Sequence, residues 1–313
     1  MKVAVVGIGG VGGYYGGKLA HRFAGESEHE ILFYARGAHL HAIRRDGLML
    51  LAREGSLVAR PATASDDPVD FGIVDVAFFT VKGYSLPEAA RAMLPAIGPK
   101  TVVIPLGNGV DNDDVLRREL ARGHILNGCV YISSHIERPG VVEQTGGSLK
   151  LIFGSPDAEN SPYRDIEVML RAAGIDAHLS DHIQRDVWEK FIFIDAISGV
   201  TSLHGVTIGA VLSTPSLKAI LTDLMSEIEV LAGRLHIGLP EGIVEQAAAR
   251  AAAFPPDTRT SMQLDVEKGT RTELDTMLGF VVRKGKELGV PTPRHQEIYD
   301  ALSRKSPRSR GAQ

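Results

Sequence analysis

The chain has a single cysteine among 313 residues, Cys129, so no internal disulfide can form. That suits a reducing compartment and leaves no cysteine cluster for a metal. The eleven histidines include no HExxH, and Cys129 lies in a strand-like run where a buried thiol is usually inert, so no metal site is expected. No apolar run reaches transmembrane length, and the start, MKVAVVG, enters a strand without the charged region and long apolar core of a signal peptide. A soluble cytoplasmic protein is the expectation, with no membrane partner. An excess of positive charge is also missing: 34 Lys and Arg face 38 Asp and Glu, for a net charge of −4, which argues against nucleic acid as a partner. His135 and Glu143 flank the stretch ERPGVV, which reads as a hairpin rather than a catalytic dyad.

Glycine, by contrast, is plentiful, and seven of the first seventeen residues are glycine. Val3, Ala4, Val5 and Val6 form an apolar run without alternation, the pattern of a strand buried on both faces of a parallel sheet. The residues from Val11 onward suit a helix. Gly7, Gly9 and Gly12 therefore make a GxGxxG turn between strand and helix, with Ile8, Gly10 and Val11 filling the loop. Gly7 allows the tight turn, Gly9 allows a pyrophosphate to approach the backbone, and Gly12 allows helix and strand to pack closely. Dinucleotide binding is the expected function; a glycine-rich turn that only packs is the alternative. The further glycines at 10, 13, 16 and 17 would bring the helix closer to the sheet.

Length predicts two domains. Through about residue 180 buried strands alternate with helical stretches, with strands expected at 2–6, 31–34, 74–81, 101–106, 128–133 and 149–153. Beyond Asp181 helical spacing takes over. One stripe runs through Leu217, Ile220, Leu221, Leu224, Ile228, Leu231 and Leu235, and another through Leu274, Met277, Leu278, Val281, Val282 and Leu288, stopped by Gly289 and Pro291. The expected architecture is α/β: a Rossmann-type doubly wound sheet over residues 1–182, an all-helical domain over 183–305, and a flexible polar tail over 306–313.

In open α/β sheets ligands bind outside the carboxyl ends of strands, so polar residues there are the first candidates. The second strand, EILFYARG, ends in Arg36 with no acid beside it, which favours NADP over NAD; a plain surface arginine is the alternative. Lys82 follows VDVAFFTV, and Asn108 follows TVVIPLG. Asn108 offers a carboxamide to a nicotinamide ribose or a substrate oxygen, or else is a left-handed turn residue before Gly109. In WEKFIFIDAIS, Lys190 sits among apolar residues. It either snorkels to water or is held at a cleft with a lowered pKa as a proton donor. Ser261 lies beside Thr260 and Gln263, which also fit an ordinary capping box, and Glu273 opens a helix, where the dipole favours a carboxylate regardless of function.

Together these segments resemble the ketopantoate reductase family, the 2-dehydropantoate 2-reductases, along nearly the whole chain. The resemblance rests on GIGGVGGYYG, YARGAHLHAI, TVKGYSL, LGNGVDNDD, WEKF, SMQLDVEKGTRTELD and GVPTP, in that order. It implies NADPH-dependent reduction of a 2-oxo acid to a 2-hydroxy acid by a homodimer, with Lys190 as general acid. Asn108 and Lys82 would position the nicotinamide ribose and substrate, Ser261 the substrate carboxylate, and Glu273 cofactor and substrate hydroxyls. Family members that make pantoate carry asparagines four and eight residues after the lysine; here Ile194 and Ser198 stand there. Ser198 is kept as a substrate-binding candidate. Isoleucine offers neither donor nor acceptor, and Asp195 points about 100° away on a helix, so a larger or more apolar 2-oxo acid than ketopantoate is expected. The competing readings are another hydroxyacid or polyol dehydrogenase with a Rossmann domain and a helical domain, and an NADPH-sensing protein that does no chemistry.

Overall fold

The computed structural model describes residues 1–157 and 159–305; the tail expected over 306–313 lies outside the described residues. The chain begins with β1 (Lys2–Val6), α1 (Gly10–Arg22), β2 (Glu30–Tyr34), α2 (Gly37–Asp46), β3 (Leu48–Ala52), β4 (Gly55–Ala59) and β5 (Thr63–Ser65). It continues with β6 (Val74–Phe79), α3 (Leu86–Met93), β7 (Ile97–Pro105), α4 (Asn112–Glu119), β8 (His124–Ile125) and β9 (Asn127–Val130). Next come β10 (Ser133–Arg138), β11 (Val141–Gly146), β12 (Lys150–Gly154), α5 (Arg164–Ala172) and β13 (Asp176–Leu179). Among the described residues seven helices follow: α6 (Ile183–His204), α7 (Ile208–Ser213), α8 (Pro215–Arg234), α9 (Ile243–Ala252), α10 (Ser261–Glu267), α11 (Leu278–Leu288) and α12 (Pro293–Lys305). Two compact units result, one of residues 1–107 and 111–183 and one of residues 108–110 and 184 onward. None of the described helices is long and apolar enough to cross a membrane.

In the first unit six strands form a sheet in the order β5-β2-β1-β6-β7-β8, with every neighbouring pair parallel. Counted along the chain that order is 3-2-1-4-5-6, the Rossmann arrangement, and the direction of winding reverses between β1 and β6. The unalternating run in β1 follows from burial on both sides. Val3 and Val5 join a core with Phe33 and Leu19, while Ala4 and Val6 join another with Leu32, Phe79 and Ala90.

The first unit holds a second sheet that the sequence does not announce. Its order is β10-β11-β3-β4, and the ERPGVV hairpin is two of its strands, with His135 opposite Glu143. This changes the role of the extra glycines. A Cβ at Gly16 would meet Phe33 and Val5 of the parallel sheet at 3.1 and 3.2 Å, but one at Gly10 would lie 2.2 Å from the Ser134 carbonyl and one at Gly13 2.5 Å from Val142. Helix α1 is thus pressed between two sheets. A third sheet, β13-β12-β9, holds Cys129, which is buried.

Asp113, in the first turn of α4, is buried and accepts a hydrogen bond from Asn127 Nδ2 at 3.1 Å. Burial first, and then the charge of Asp114, push its pKa up to about 6, against the pull of Arg117. An acid raised in the fold ionises first in the unfolded chain, so stability is lost as pH rises from 3.8 to about 6. Asp113→Asn keeps an acceptor for Asn127 and is expected to add about 2 kcal/mol at pH 7. Urea unfolding at pH 7 and at pH 3.5 checks this: the gain should vanish at the lower pH.

The second unit is helical throughout its described elements. Helix α6 is apolar around most of its circumference, which fits a central helix packed on all sides. Trp188 and Phe191 of α6 make edge-on contacts with Phe280 of α11 at 6.2 and 6.1 Å, fixing the rotation of the helix about its axis. The stripe expected in α8 is buried at Leu221, Leu224, Ile228 and Leu231. Gly289 caps α11 at φ +68°, with its N–H bonded to the Gly285 carbonyl, as the helix stop predicted.

Candidate functional site

The chain turns out of β1 at Gly7, whose φ of +95° lies in the region open to glycine. The turn is held from both neighbouring strands. Gly7 N–H donates to the Tyr34 carbonyl at 3.0 Å, and Thr80 Oγ1 donates to the carbonyls of Gly7 and Val6 at 2.7 and 3.0 Å. A Cβ at Gly12 would lie 2.1 Å from the Gly7 oxygen, so helix and strand approach as closely as the motif requires. A Cβ at Gly9 would meet nothing within 4 Å: this side of the loop is open. Ile8 is buried and Val11 packs against the same core. The first turn of α1 carries no acidic residue, and the N–H groups of Gly10, Val11 and Gly12 precede its first helical bond, from Gly13 N–H to the Gly9 carbonyl at 2.8 Å. An open, positively polarised backbone cradle at the winding reversal fits a dinucleotide pyrophosphate.

Arg36 caps α2 beyond the end of β2, with its side chain 54% exposed. Its guanidinium lies over the Tyr34 ring at 5.4 Å and donates to the Tyr34 hydroxyl through Nε and Nη2 at 3.3 and 2.7 Å. Nη1 donates to Glu88 Oε1 at 2.8 Å. The expectation that no acid stands beside Arg36 is therefore wrong: the acid comes from α3, 52 positions further on, because β2 and β6 both flank β1. Lys82, half-buried, precedes the short turn at Gly83–Ser85 after β6.

A second constellation lies in the helical unit, to which Asn108–Val110 belong. Lys190, on α6, is only 6% exposed and donates to Asn108 Oδ1 at 2.8 Å. It does not snorkel. Asn108 Nδ2 faces Glu273 Oε2 at 3.5 Å, and Glu273 is buried as well. One carboxamide thus spans a buried ammonium and a buried carboxylate, with its oxygen toward the cation and its nitrogen toward the anion. Hydrogen bonds between one carboxamide and both charges offset part of the cost of burying either. Asn108 does not take the left-handed conformation considered for it. Glu273 does not begin a helix either: it lies in a turn whose carbonyl accepts from the N–H groups of Thr276 and Met277, and α11 starts only at Leu278.

Ile194, half-buried, and Ser198, buried, follow Lys190 on α6 at one-turn intervals. Ser261 is the exposed first residue of α10, while Thr260 caps that helix by accepting from Gln263 N–H and pairs with Thr201 Oγ1 at 2.9 Å. The capping box is half formed, since Gln263 Nε2 turns to Glu267 instead. On the hairpin, His135 lies 3.3 Å from Glu137 and 3.6 Å from Glu143, all near the surface.

No motif announced a trio of buried His295, buried Asp195 and half-buried Glu227. His295 Nδ1 lies 2.6 Å from Glu227 Oε2 and its Nε2 lies 3.0 Å from Asp195 Oδ2. Asp195, set aside as unable to replace an asparagine at 194, spends its side chain here. Its presence as the one acid in FIFIDAIS was the available signal.

Known proteins match this chain along nearly its whole length. A family model described as ketopantoate reductase PanE/ApbA matches residues 3–158, and its C-terminal counterpart matches residues 182–306. Curated relatives include an uncharacterised oxidoreductase, YkpB, of Bacillus subtilis strain 168, 28% identical with 96% of this chain and 98% of the relative covered. A 2-dehydropantoate 2-reductase of Halobacterium salinarum is 29% identical, with 96% and 98% covered. Among solved structures, a PanE/ApbA family ketopantoate reductase from Ralstonia eutropha JMP134 superposes with a TM-score of 0.88 at 30% identity, covering 97% of this chain and 98% of the other. The chain belongs to the ketopantoate reductase PanE/ApbA family.

Proposed function

We propose that this chain reduces a 2-oxo acid to the 2-hydroxy acid with NADPH, and that Lys190 is the general acid. The observation that carries the proposal is the buried Lys190 ammonium fixed on Asn108 Oδ1 at 2.8 Å. NADPH, when bound on the glycine loop, supplies a hydride to the ketone carbon. The carbonyl oxygen then takes on negative charge, and a buried ammonium both stabilises that charge and gives it a proton, which leaves a neutral amine to be reprotonated from solvent. Asn108 holds the amine in place through its oxygen. Lys82 and Asn108 position the nicotinamide ribose and the substrate, Ser261 and Ser198 take polar groups of the acid, and Glu273 accepts from hydroxyls of cofactor and substrate. A homodimer accompanies this reading, and sizing chromatography at working concentration checks it.

The substrate we infer is more apolar than ketopantoate, because Ile194 stands one helical turn from Lys190 and presents no hydrogen-bonding group there. NADPH oxidation followed with ketopantoate and a panel of apolar 2-oxo acids tests both parts. At least one apolar acid should exceed ketopantoate in kcat/KM; ketopantoate exceeding all of them overturns the substrate class but leaves the reaction standing. Binding of NADPH with no turnover of any acid would point to the sensing role instead. Ile194→Asn is expected to move the kcat/KM ratio about tenfold toward ketopantoate, the scale of one added hydrogen bond to a substrate hydroxyl.

A further inference from the structure

Two devices distinguish the dinucleotides at the end of the second strand of a Rossmann sheet: an acid that accepts from the ribose 2′-hydroxyl, or an arginine that receives the 2′-phosphate. This chain brings both to one place. Arg36 follows β2, Glu88 lies in the first turn of α3, and their charged groups meet at 2.8 Å beside the Tyr34 hydroxyl. We infer that Glu88 is a cofactor-selectivity residue, which competes with the 2′-phosphate of NADPH for Arg36 and holds the preference for NADPH over NADH below what Arg36 alone would confer. The inference rests on the reading of this loop as an NADPH site.

The guanidinium is already engaged on three of its N–H groups. Nη1 serves Glu88, and Nε and Nη2 share the Tyr34 oxygen. A 2′-phosphate must therefore displace Glu88 from Nη1 or bind alongside it. Either route is unfavourable, since the phosphate carries nearly two negative charges at neutral pH and the carboxylate carries one. The 2′-hydroxyl of NADH meets no such penalty, and a carboxylate is the acceptor it needs. Tyr34 is buried and keeps the guanidinium over its ring, so the arginine cannot swing far from Glu88 to receive its ligand. The effect is bounded by exposure: side chains 54% and 66% exposed form a pair that solvent screens well. A few-fold change is expected, not a reversal by orders of magnitude.

The alternative is that Glu88 serves only as a helix-start acid for α3, favoured by the dipole. That role predicts equal effects on both dinucleotides. The test is calorimetric titration of the full chain, wild type and Glu88→Gln, with 2′,5′-ADP and with 5′-AMP, which carry the distinguishing phosphate or lack it and take part in no reaction. Glu88→Gln should tighten 2′,5′-ADP about fivefold, leave 5′-AMP within twofold, and lose most of its gain at high salt, as screening requires. In an Arg36→Ala background the same substitution should change nothing. A wild type that prefers 2′,5′-ADP while Glu88→Gln leaves that preference unchanged or weaker overturns the inference and spares the NADPH reading. If neither protein distinguishes the two ligands, the NADPH reading of Arg36 fails and the inference falls with it.

Discussion

Replacing Lys190 by alanine is expected to lower kcat by about 10² to 10⁴, the range spanned by removal of a positioned general acid. The loss should fall mainly on kcat, because Lys190 itself is assigned the proton and no contact with the cofactor. The lysine is 6% exposed, so alanine also leaves a space in the helical core and an unpartnered oxygen on Asn108. Lys190→Met separates the two effects: it fills most of the volume with an apolar thioether and removes only the charge. If both variants lose turnover alike while their melting temperatures differ, the proton is what matters. Should Lys190→Met retain activity within threefold of wild type, the alkoxide is protonated by another group and the assignment is wrong.

What could be read in the residues was local. The run Val3–Val6, the spacing of Gly7, Gly9 and Gly12 and the glycine stop at 289 each declare themselves within a few positions, because strand burial, turn conformation and helix capping are decided by near neighbours. The second sheet was hidden for the opposite reason. Its strand β3 pairs in parallel with β11, more than ninety positions away, and its residues LMLLA do not alternate cleanly enough to announce a strand. Arg36 and Glu88, 52 positions apart, are likewise brought together only by the fold, so adjacency in sequence misjudged the charge at the end of β2. Lys190 shows the intermediate case. The segment WEKFIFIDAIS raised two possibilities for the lysine, and only its partner Asn108, 82 positions earlier, decides that it stays buried. Glu273 was read as a helix start because an acid followed by apolar residues at helical spacing is what a helix start looks like. The chain instead makes an extra turn through Met277, and that turn places the carboxylate beside Asn108.

His295→Ala is expected to cost about 3 to 5 kcal/mol of stability, the scale found when one partner of a buried ion pair is removed. The geometry explains why. Both ring nitrogens of His295 face carboxyl oxygens, and ionised carboxylates accept hydrogen bonds without donating any, so the doubly protonated ring is the form that they favour. Burial alone would push the imidazole pKa down, but the hydrogen bonds to Asp195 and Glu227 outweigh it and hold the value above the ordinary 6.5. For Glu227 burial is likewise outweighed, by His295 and by the N–H groups of Arg294 and His295 at the start of α12, and its pKa lies below 4.5. Asp195, fully buried with one oxygen unpartnered, is driven the other way by desolvation, above 3.8. The signs define a window. The raised histidine contributes fully below pH 6.5 and loses its contribution as pH rises through its folded value, while the depressed Glu227 contributes fully above pH 4.5 and loses as pH falls through its own. The stability gap between wild type and His295→Ala, measured by urea unfolding across pH, should therefore be widest between those limits and narrow toward alkaline pH. Adding Asp195→Asn to His295→Ala should restore part of the loss, since it removes the carboxylate left without a counter-charge. A gap that stays flat from pH 5 to pH 9, or a double variant no more stable than His295→Ala alone, would mean that the three helices α6, α8 and α12 are held by packing and not by this charge.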